Sequence, residues 1–254
     1  MIQFIRSTLS IHVQPSSVRP HPIEFTHTHT PTPQTQQVVT LYCLSTENWR
    51  RPAAEIAVIL RCVEAGLRAN LAYAHANRIR LTVVGQRERL PASLQRLIAR
   101  AEAETGGYDG LTACLALSYG GRDDIVQAAR RLAAEAASGR LRVEEIDEAA
   151  FARRLQTGAL VGLGPGLGEA DLVVRTSGER RLSNFMLFES AYAELYVAEA
   201  LWPAFGRAEL WAAVWDYAGR RRRFGGVGGD DGEEGEGGSA LAPSVVTSSS
   251  QGAS

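Results

Sequence analysis

The stretch DLVVRTSGERRLSNFMLFESAYAELYV, residues 171–197, is the most informative part of this chain. Its first residues, 171–174, form an apolar run that is typical of a buried parallel strand. Arg175 follows where this strand ends, and a turn with two more arginines, a serine and an asparagine comes next: Arg180, Arg181, Ser183 and Asn184. In open α/β sheets ligands bind at the carboxyl ends of strands, and guanidinium groups match the oxygens of phosphates. The stretch therefore predicts a polyanion site at a strand end, with an arginine-rich solvated loop as the alternative.

Strands and helices alternate along the rest of the chain, which predicts an α/β fold with a mainly parallel central sheet flanked by helices. Apolar runs bounded by turn residues predict strands at 38–45, 79–85, 111–119 and 171–174. Apolar residues at helical spacing, with a proline in the first turn of the first two, predict helices at 52–77, 91–104, 122–138, 144–156 and 207–223.

The composition limits the classes of function. A hydrophobic content of 45% in 254 residues is enough for one sizeable core. A net charge of −1 argues against dedicated nucleic-acid binding, and no apolar run is long enough to predict a transmembrane segment. The three cysteines lack metal-ligand spacing and lie in apolar contexts, so we expect them to be reduced thiols in the core.

Three segments differ in composition. Residues 1–37 are poor in acids and rich in Ser, Thr and Pro, and we interpret them as a disordered leader or a transit-like segment, with an incorrect first exon as the alternative. Residues 38–226 form the predicted folded domain. Residues 227–254 are mostly Gly, Ser and acidic residues, which predicts a disordered tail. We expect a cytoplasmic or a plastid location, with a peripheral position at a membrane as a further option.

Five blocks of sequence occur in a fixed order: LSTENWRRPAAE (44–55), SYGGRDDIV (118–126), RTSGERRLSNF followed by SAYAELYV (175–197), LWPAF (201–205) and RRFGG (222–226). Together they resemble the motifs of the cis-prenyltransferases, the undecaprenyl diphosphate synthase family, from about residue 38 to residue 226. The resemblance implies a central sheet flanked by helices, with an apolar tunnel that helix 52–77 helps to line. It also implies a transferase that condenses isopentenyl diphosphate with an allylic diphosphate and so elongates a cis-polyprenyl diphosphate.

The resemblance further implies roles for individual residues. Asn48 would orient the reacting groups or assist proton removal. The diphosphate of isopentenyl diphosphate would be bound by Arg51, Arg175, Arg181 and Ser183, and the substrate site would be lined by Ser45, Thr46, Glu47, Trp49 and Leu182. Mg²⁺ is the implied cofactor, and Glu194 would help to hold it. Glu55 would position Arg51 through an i, i+4 pair.

Some of these assignments have a plain structural alternative. Trp49 is equally well interpreted as a core aromatic residue, and Glu55 as a solvated helix residue. Two positions depart from the family pattern, because Arg180 stands where many relatives carry a His that helps at the metal, and Ser118 where relatives often carry an Asn. An arginine cannot ligate Mg²⁺, so Arg180 is not expected to replace that contribution.

One family motif has no counterpart in the chain. The first motif, Asp-Gly-Asn-Gly-Arg-Trp, supplies the main Mg²⁺ ligand and cradles the allylic diphosphate in relatives, whereas no aspartate occurs here before Asp109. We therefore expect the first strand and helix of the fold to be missing, and catalysis to be slowed by about 10³-fold or more.

Three interpretations stay open. The first is a family enzyme whose upstream sequence is absent, and the second is a non-catalytic subunit of a heteromeric cis-prenyltransferase complex. The third is an unrelated phosphate-binding α/β protein. A homodimer, or a heterodimer with a family member, is the assembly that the resemblance implies.

Overall fold

The computed structural model describes residues 37–163 and 168–220 in full, together with the backbone of short strands that precede them. The elements are, in chain order, β1 (Ile2–Ile5), β2 (Ser10–His12), β3 (Glu24–Thr26), β4 (Val38–Ser45), α1 (Ala53–Ala76), β5 (Arg80–Val84), α2 (Ala92–Thr105), β6 (Thr112–Tyr119), α3 (Gly121–Ala137), α4 (Glu148–Ala152), α5 (Gly158–Val161), β7 (Leu172–Arg175), β8 (Glu194–Val197) and α6 (Arg207–Ala218). Single 3-10 turns lie at Glu47–Arg50, Arg87–Arg89, Val143–Glu145 and Trp202–Ala204. The block at 222–226 and the predicted tail at 227–254 lie outside the described residues.

The predicted strands and helices are confirmed at β4, α1, β5, α2, β6, α3, β7 and α6. The predicted helix at 144–156 is wrong in extent, because only Glu148–Ala152 within it is α-helical. The carboxylate of Asp147 accepts a hydrogen bond from Ala150 N at 2.6 Å, and this cap makes the helix begin at Glu148. The chain then turns, and α5 forms separately.

The main sheet has the strand order β5-β6-β4-β1-β7-β8. Strand β6 pairs in parallel with β4 and with β5, and β7 pairs in parallel with β8, which confirms the mainly parallel sheet. Strand β1 is antiparallel to both β4 and β7. Since β4 and β7 both oppose β1, they point in the same direction, and their carboxyl ends lie at one edge of the sheet.

The position between β4 and β7 bears on the expectation that the first strand is missing. The structure places β1, which belongs to the leader segment 1–37, in this position and in the direction opposite to its neighbours. Strands β2 and β3 of the same segment pair with each other in a separate two-stranded sheet. The disordered or transit-like character of residues 1–37 stays a prediction.

Both faces of the parallel strands are covered. On β6, Leu115 and Leu117 pack with α1 and α2, whereas Cys114 and Ala116 belong to the cluster on the other face. The helices contribute buried aliphatic side chains to the first cluster: Ile56, Leu60, Leu67, Leu94, Leu97 and Ile98. This burial explains why the strands are apolar throughout rather than alternating. Cys62 is exposed on α1, so the expectation that all three cysteines lie in the core is wrong for this one.

Two acidic side chains are buried on the α3 side of the structure. Asp124, in the first turn of α3, is 1% exposed, and its Oδ1 accepts a hydrogen bond from Gln156 N at 2.7 Å. Glu189 is 2% exposed and accepts a hydrogen bond from the Thr157 hydroxyl. Burial raises the pKa of Asp124 to about 6 and the pKa of Glu189 to about 7, because a charged carboxylate loses its hydration there.

We predict that Glu189→Gln stabilises the protein at pH 8 more than at pH 5. The folded state raises the pKa of Glu189 from 4.5 to about 7, so the protonated carboxyl contributes stability below the unfolded pKa, and this contribution is lost as the pH rises through 7. Glutamine keeps the acceptor for Thr157 but does not ionise. The difference from the wild type should therefore grow between pH 4.5 and pH 7, and reach on the order of 2–3 kcal/mol.

Urea unfolding of both proteins at pH 5, 6, 7 and 8 measures this difference. Glu144→Gln, at an exposed position, is the matched control and should change stability equally at every pH. A difference between Glu189→Gln and the wild type that stays constant with pH would contradict the prediction.

Candidate functional site

Three strand ends form the floor of the site. Strands β4, β6 and β7 point in the same direction, so Ser45, Tyr119 and Arg175 end at the same edge of the sheet. The chain continues from them into the turn 46–51, the beginning of α3, and the long segment 176–193. The sequence predicted site residues in the first and the last of these segments, and the sheet brings the two together with the beginning of α3.

Backbone contacts join these three segments. Thr46 N donates to Tyr119 O at 3.0 Å, and Gly121 N donates to Asn184 O at 2.7 Å. The Tyr42 hydroxyl lies 3.2 Å from Tyr119 O and 3.4 Å from Ser183 O. Below them, the Tyr42 ring stacks on the Phe185 ring at a centroid distance of 4.5 Å. The segments are therefore fixed relative to one another by bonds that do not depend on a ligand.

Asn48 has a defined orientation. Its Oδ1 accepts a hydrogen bond from Ser45 N at 2.9 Å, and its own N–H donates to Ser45 Oγ at 3.1 Å. This reciprocal pair closes the 3-10 turn at Glu47–Arg50. The carboxamide oxygen is thus engaged, and within the described residues Nδ2 donates no hydrogen bond. The Nδ2 donor of Asn48 is therefore available to a bound group.

Trp49 joins the turn to the ends of β5 and β6. Its indole N–H donates to Ser118 Oγ at 2.8 Å, and the guanidinium of Arg89 lies 4.7 Å from the centre of the indole ring. Ser118 is fully buried and has a φ of +52°, at an irregularity in the β4–β6 pairing that turns its side chain towards Trp49. Trp49 is half-buried against the core cluster of α1 and α2, so it is both a core residue and part of the site.

The arginines of the site differ in their partners. Arg51 donates to Glu55 Oε1 at 2.6 Å, which confirms the i, i+4 pair, and Arg181 pairs with Glu179. Arg175 is half-buried, and its Nε is buried with no hydrogen-bond partner among the described residues. Partial burial and the positive charge of Arg181 both lower the pKa of Arg175. A buried guanidinium N–H without a partner, next to a second positive charge, is the arrangement expected where an anion binds.

The other predicted residues belong to the segments at the strand ends, except for Glu194. Glu47 and Ser183 contact the joined segments directly, since Glu47 Oε1 accepts a hydrogen bond from Asn184 Nδ2 and Ser183 O lies near Tyr42. Leu182 is half-buried beside them in sequence. Thr46 Oγ1 occupies the space beside Gly120 that a Cβ would need.

Glu194 is not brought to the same place. It is the first residue of β8 and pairs in register with Leu172, whereas Arg175 pairs with Val197 at the other end of the two strands. Three residues of strand correspond to about 10 Å. Its carboxylate accepts a hydrogen bond from Arg220 at 2.6 Å.

The described residues do not form a carboxylate cluster for a metal. In residues 37–163 and 168–220, no three His, Cys, Asp or Glu side chains lie close enough together to hold an ion. Mg²⁺ prefers carboxylates together with substrate phosphates as ligands. The carboxylates near the strand ends, Glu47, Glu55 and Glu179, are each bonded to Asn184 or to an arginine, so the described side chains form no metal site by themselves. The donors of Asn48 and Arg175 fit an anion.

Sequence reasoning missed three contributions to the site. Asn184 was noted only as part of the arginine-rich turn, and Arg89 and Tyr42 were given no role. Nothing local in the sequence distinguishes these residues, because each acts on a segment that is far away in the chain.

Among the described residues, none of the helices has the length and apolar character needed to span a membrane.

Fold and site together define a class: an α/β protein whose parallel strands end in loops that carry arginines. Comparisons with known proteins make this class specific. The sequence profile of the undecaprenyl diphosphate synthase family matches residues 33–225. The chain belongs to this family, which consists of prenyl transferases, and the predicted resemblance is confirmed.

Individual relatives agree. An isoprenyl transferase of Rhizobium meliloti is 41% identical over 189 residues, which is 74% of each chain. The ditrans,polycis-undecaprenyl-diphosphate synthase of Escherichia coli is 40% identical over 191 residues, 75% of this chain and 73% of the relative. The structure of lavandulyl diphosphate synthase from Lavandula x intermedia superposes with a TM-score of 0.70 at 37% identity, over 74% of this chain and 78% of that one. The fold class and the enzyme class predicted from the sequence, a transferase that elongates prenyl chains, are thus confirmed.

We predict that Gly120→Ala destabilises the protein by about 1–2 kcal/mol. A Cβ at this position would lie 2.4 Å from Thr46 Oγ1 and 2.8 Å from Asn184 Nδ2, so one of the joined segments must move. The φ of Gly120 is −160°, which suits any residue, and the requirement is therefore one of space. Chemical denaturation measures the effect.

Gly66→Ala is the matched control for this substitution. Gly66 lies inside α1, and a Cβ there meets nothing within 4 Å, so alanine should stabilise the protein by about 0.5–1 kcal/mol through helix propensity. Equal effects of the two substitutions would show that the close approach at Gly120 carries no cost.

Proposed function

We propose that this protein condenses isopentenyl diphosphate with an allylic diphosphate, and that Arg175 binds the diphosphate group of isopentenyl diphosphate. The observation that carries this proposal is the half-buried guanidinium of Arg175 at the carboxyl end of β7, whose Nε has no partner among the described residues. Arg181 lies near enough to act on its pKa. A diphosphate supplies an acceptor oxygen for the Arg175 N–H and can replace Glu179 as the partner of Arg181.

The reaction requires charge stabilisation more than covalent chemistry. The allylic carbon–oxygen bond breaks and releases diphosphate, the double bond of isopentenyl diphosphate forms the new carbon–carbon bond, and a proton leaves the adjacent carbon. Fixed cationic and amide donors lower the energy of the separating charges without reorganisation. Arg175, Arg181 and Arg51 would bind phosphate oxygens, and the Nδ2 group of Asn48 would orient the bound diphosphate through a hydrogen bond. Ser45, Thr46, Glu47, Trp49, Leu182 and Ser183 would form the walls of the substrate site.

Mg²⁺ is the divalent cation that we propose for this chemistry, because it neutralises phosphate oxygens in enzymes of phosphate esters. The proposal that Glu194 helps to hold it rests on the family motif alone. Glu194→Gln, titrated with isopentenyl diphosphate in the presence and absence of Mg²⁺, decides the role of Glu194. If the affinity of the variant for isopentenyl diphosphate no longer depends on Mg²⁺, Glu194 is supported as a ligand. If the affinity depends on Mg²⁺ as it does in the wild type, this role is contradicted.

We predict that Arg175→Ala weakens the binding of isopentenyl diphosphate by about tenfold or more, because it removes charge-assisted hydrogen bonds to the diphosphate. Isothermal titration calorimetry measures the dissociation constant. Arg142→Ala also removes one arginine, but an exposed one that pairs with Glu145, and it should leave the affinity unchanged. If Arg175→Ala binds as tightly as the wild type, the diphosphate is not bound at this strand end.

A second candidate function is that of a non-catalytic subunit that pairs with a complete family member. Exposed apolar side chains favour it, and they concentrate around the edge strand β8 and around α6: Tyr192, Leu195, Leu201, Trp202 and Trp215. We call this the β8–α6 surface. Strand β8 is the last strand of the sheet and pairs on one side only within the described sheet. An apolar edge of this kind is typical of a surface that binds another protein, and we propose a second family chain, identical or different, as its occupant.

We predict that Leu195→Asp, in the middle of β8, halves the molar mass of the assembly in solution. The Leu195 side chain is 52% exposed, so the change affects association more than folding. Val143→Asp is the matched control, because Val143 is 69% exposed in a different part of the chain and should not change the mass. Light scattering coupled to size-exclusion chromatography gives the mass, and a wild type that is monomeric at micromolar concentration would contradict the proposed surface.

The same samples separate the two candidate functions. Incorporation of labelled isopentenyl diphosphate into farnesyl diphosphate with Mg²⁺ is measured for the wild type alone and with the Escherichia coli enzyme added. Incorporation by the protein alone supports the enzyme. The subunit is supported if the protein alone incorporates nothing but accelerates incorporation by the Escherichia coli enzyme. In that case the Leu195→Asp variant should not accelerate it.

A further inference from the structure

The side chain of Asn184 bonds to two other segments of the site at once. Its Nδ2 donates to Glu47 Oε1 at 2.7 Å, in the turn after β4. Its Oδ1 accepts a hydrogen bond from Arg122 N at 2.8 Å, in the first turn of α3. Its backbone oxygen also accepts a hydrogen bond, from Gly121 N at 2.7 Å. One residue of the β7–β8 connection thus holds the segments that follow β4 and β6.

The contacts with α3 replace a cap that the helix itself lacks. Helix α3 begins at Gly121, and its capping position is Gly120, which has no side chain. The first N–H groups of a helix have no partner within the helix. Asn184 satisfies two of them from another part of the chain, and a side chain at position 120 would displace it, since a Cβ there would lie 2.8 Å from Asn184 Nδ2.

The local backbone suits an asparagine. Asn184 has a φ of +62° and the preceding Ser183 a φ of +51°, in the left-handed region that asparagine tolerates better than most residues. This conformation reverses the chain immediately after Arg181 and Ser183, which are proposed to bind diphosphate. Asn184 therefore lies in the same turn as the residues that are proposed to bind diphosphate.

The two partners of the side chain require opposite hydrogen-bonding groups. The Glu47 carboxylate can only accept a hydrogen bond, and the Arg122 N–H can only donate one. A carboxamide provides one donor and one acceptor in a single planar group, whereas a carboxylate of the same size provides two acceptors. Partial burial raises the pKa of Glu47, but hydrogen bonds from its own N–H and from Asn184 outweigh this and lower the pKa overall, so Glu47 stays ionised.

We propose that Asn184 is a positioning residue that assembles the diphosphate site, by fixing the turn of Asn48 and the start of α3 against the segment that carries Arg181 and Ser183. The inference rests on the proposed function, since it assigns Asn184 to the same diphosphate site. An anion site that is already ordered loses less entropy when its ligand binds. The amide of Asn184 thus contributes to affinity without touching the ligand.

The polarity of the Asn184–Glu47 bond provides the test. Asn184→Asp keeps the size and the acceptor for Arg122 N, but it places a second carboxylate against Glu47 and should weaken the binding of isopentenyl diphosphate and of inorganic diphosphate by about tenfold at pH 8. Adding Glu47→Gln to this variant reverses the bond, because the amide introduced at position 47 donates to the carboxylate introduced at position 184, and the total charge equals that of the wild type. The double variant should bind both ligands several-fold more tightly than Asn184→Asp, because the bond between the two segments is restored.

All affinities are measured by calorimetry at a temperature at which every variant is folded. A loss of stability alone therefore does not change the measured dissociation constants. Asn77→Asp makes the same chemical change at the end of α1 and should bind both ligands as the wild type does. A wild type that binds neither ligand overturns the proposed function, and this inference with it. A wild type that binds, together with an Asn184→Asp variant of equal affinity, or a double variant no tighter than Asn184→Asp, overturns the role of Asn184 alone.

Discussion

The parallel pairing of β4 with β6 determines the positions of Ser45 and Tyr119, and the other parts of the site are held relative to these two strand ends. The bond from Thr46 N to Tyr119 O continues the pairing past the end of β4 and fixes the beginning of the turn that carries Asn48. An irregularity in the pairing at Ser118 directs its hydroxyl to the Trp49 indole. A change of register by one residue would turn all these side chains to the other face of the sheet.

The arginines of the site are of two kinds. Two of them have a carboxylate partner that a ligand can replace, and Arg175 has a buried N–H that a ligand can bind. The ion pairs of Arg51 with Glu55 and of Arg181 with Glu179 are exposed, and exposed pairs contribute little to stability. Exchanging such a carboxylate for a phosphate oxygen therefore costs little. Arg175 differs, because its guanidinium is partly buried and its Nε has no hydrogen-bond partner among the described residues. In the proposed site, the anion supplies this missing partner.

Much of the fold follows from short-range patterns, since apolar runs and helical spacing identified nearly all elements of the main domain. The arginines, Asn48 and Trp49 were recognised because whole blocks resembled a family. The rule that ligands bind at the carboxyl ends of parallel strands predicts that these residues lie at one edge of the sheet. The role of Asn184 was not predictable, because its partners Arg122 and Glu47 are 62 and 137 residues away in the chain. Burial of Asp124 and Glu189 was equally hidden, since acidic residues in sequence are ordinarily assigned to the surface.

The long separation in sequence between the contacting segments also affects the rate at which the site folds. The Tyr42 hydroxyl reaches Tyr119 across 77 residues, and the connection that carries Asn184 lies further along still. Contacts between distant segments form slowly, because the chain entropy of a long loop is lost before the contact stabilises it. During synthesis α1 and α2 can pack on β4, β5 and β6 as soon as these have left the ribosome. The contacts of the strand ends, by contrast, need residues 175–184, so we expect the site to be assembled late, after these helices have packed on the strands.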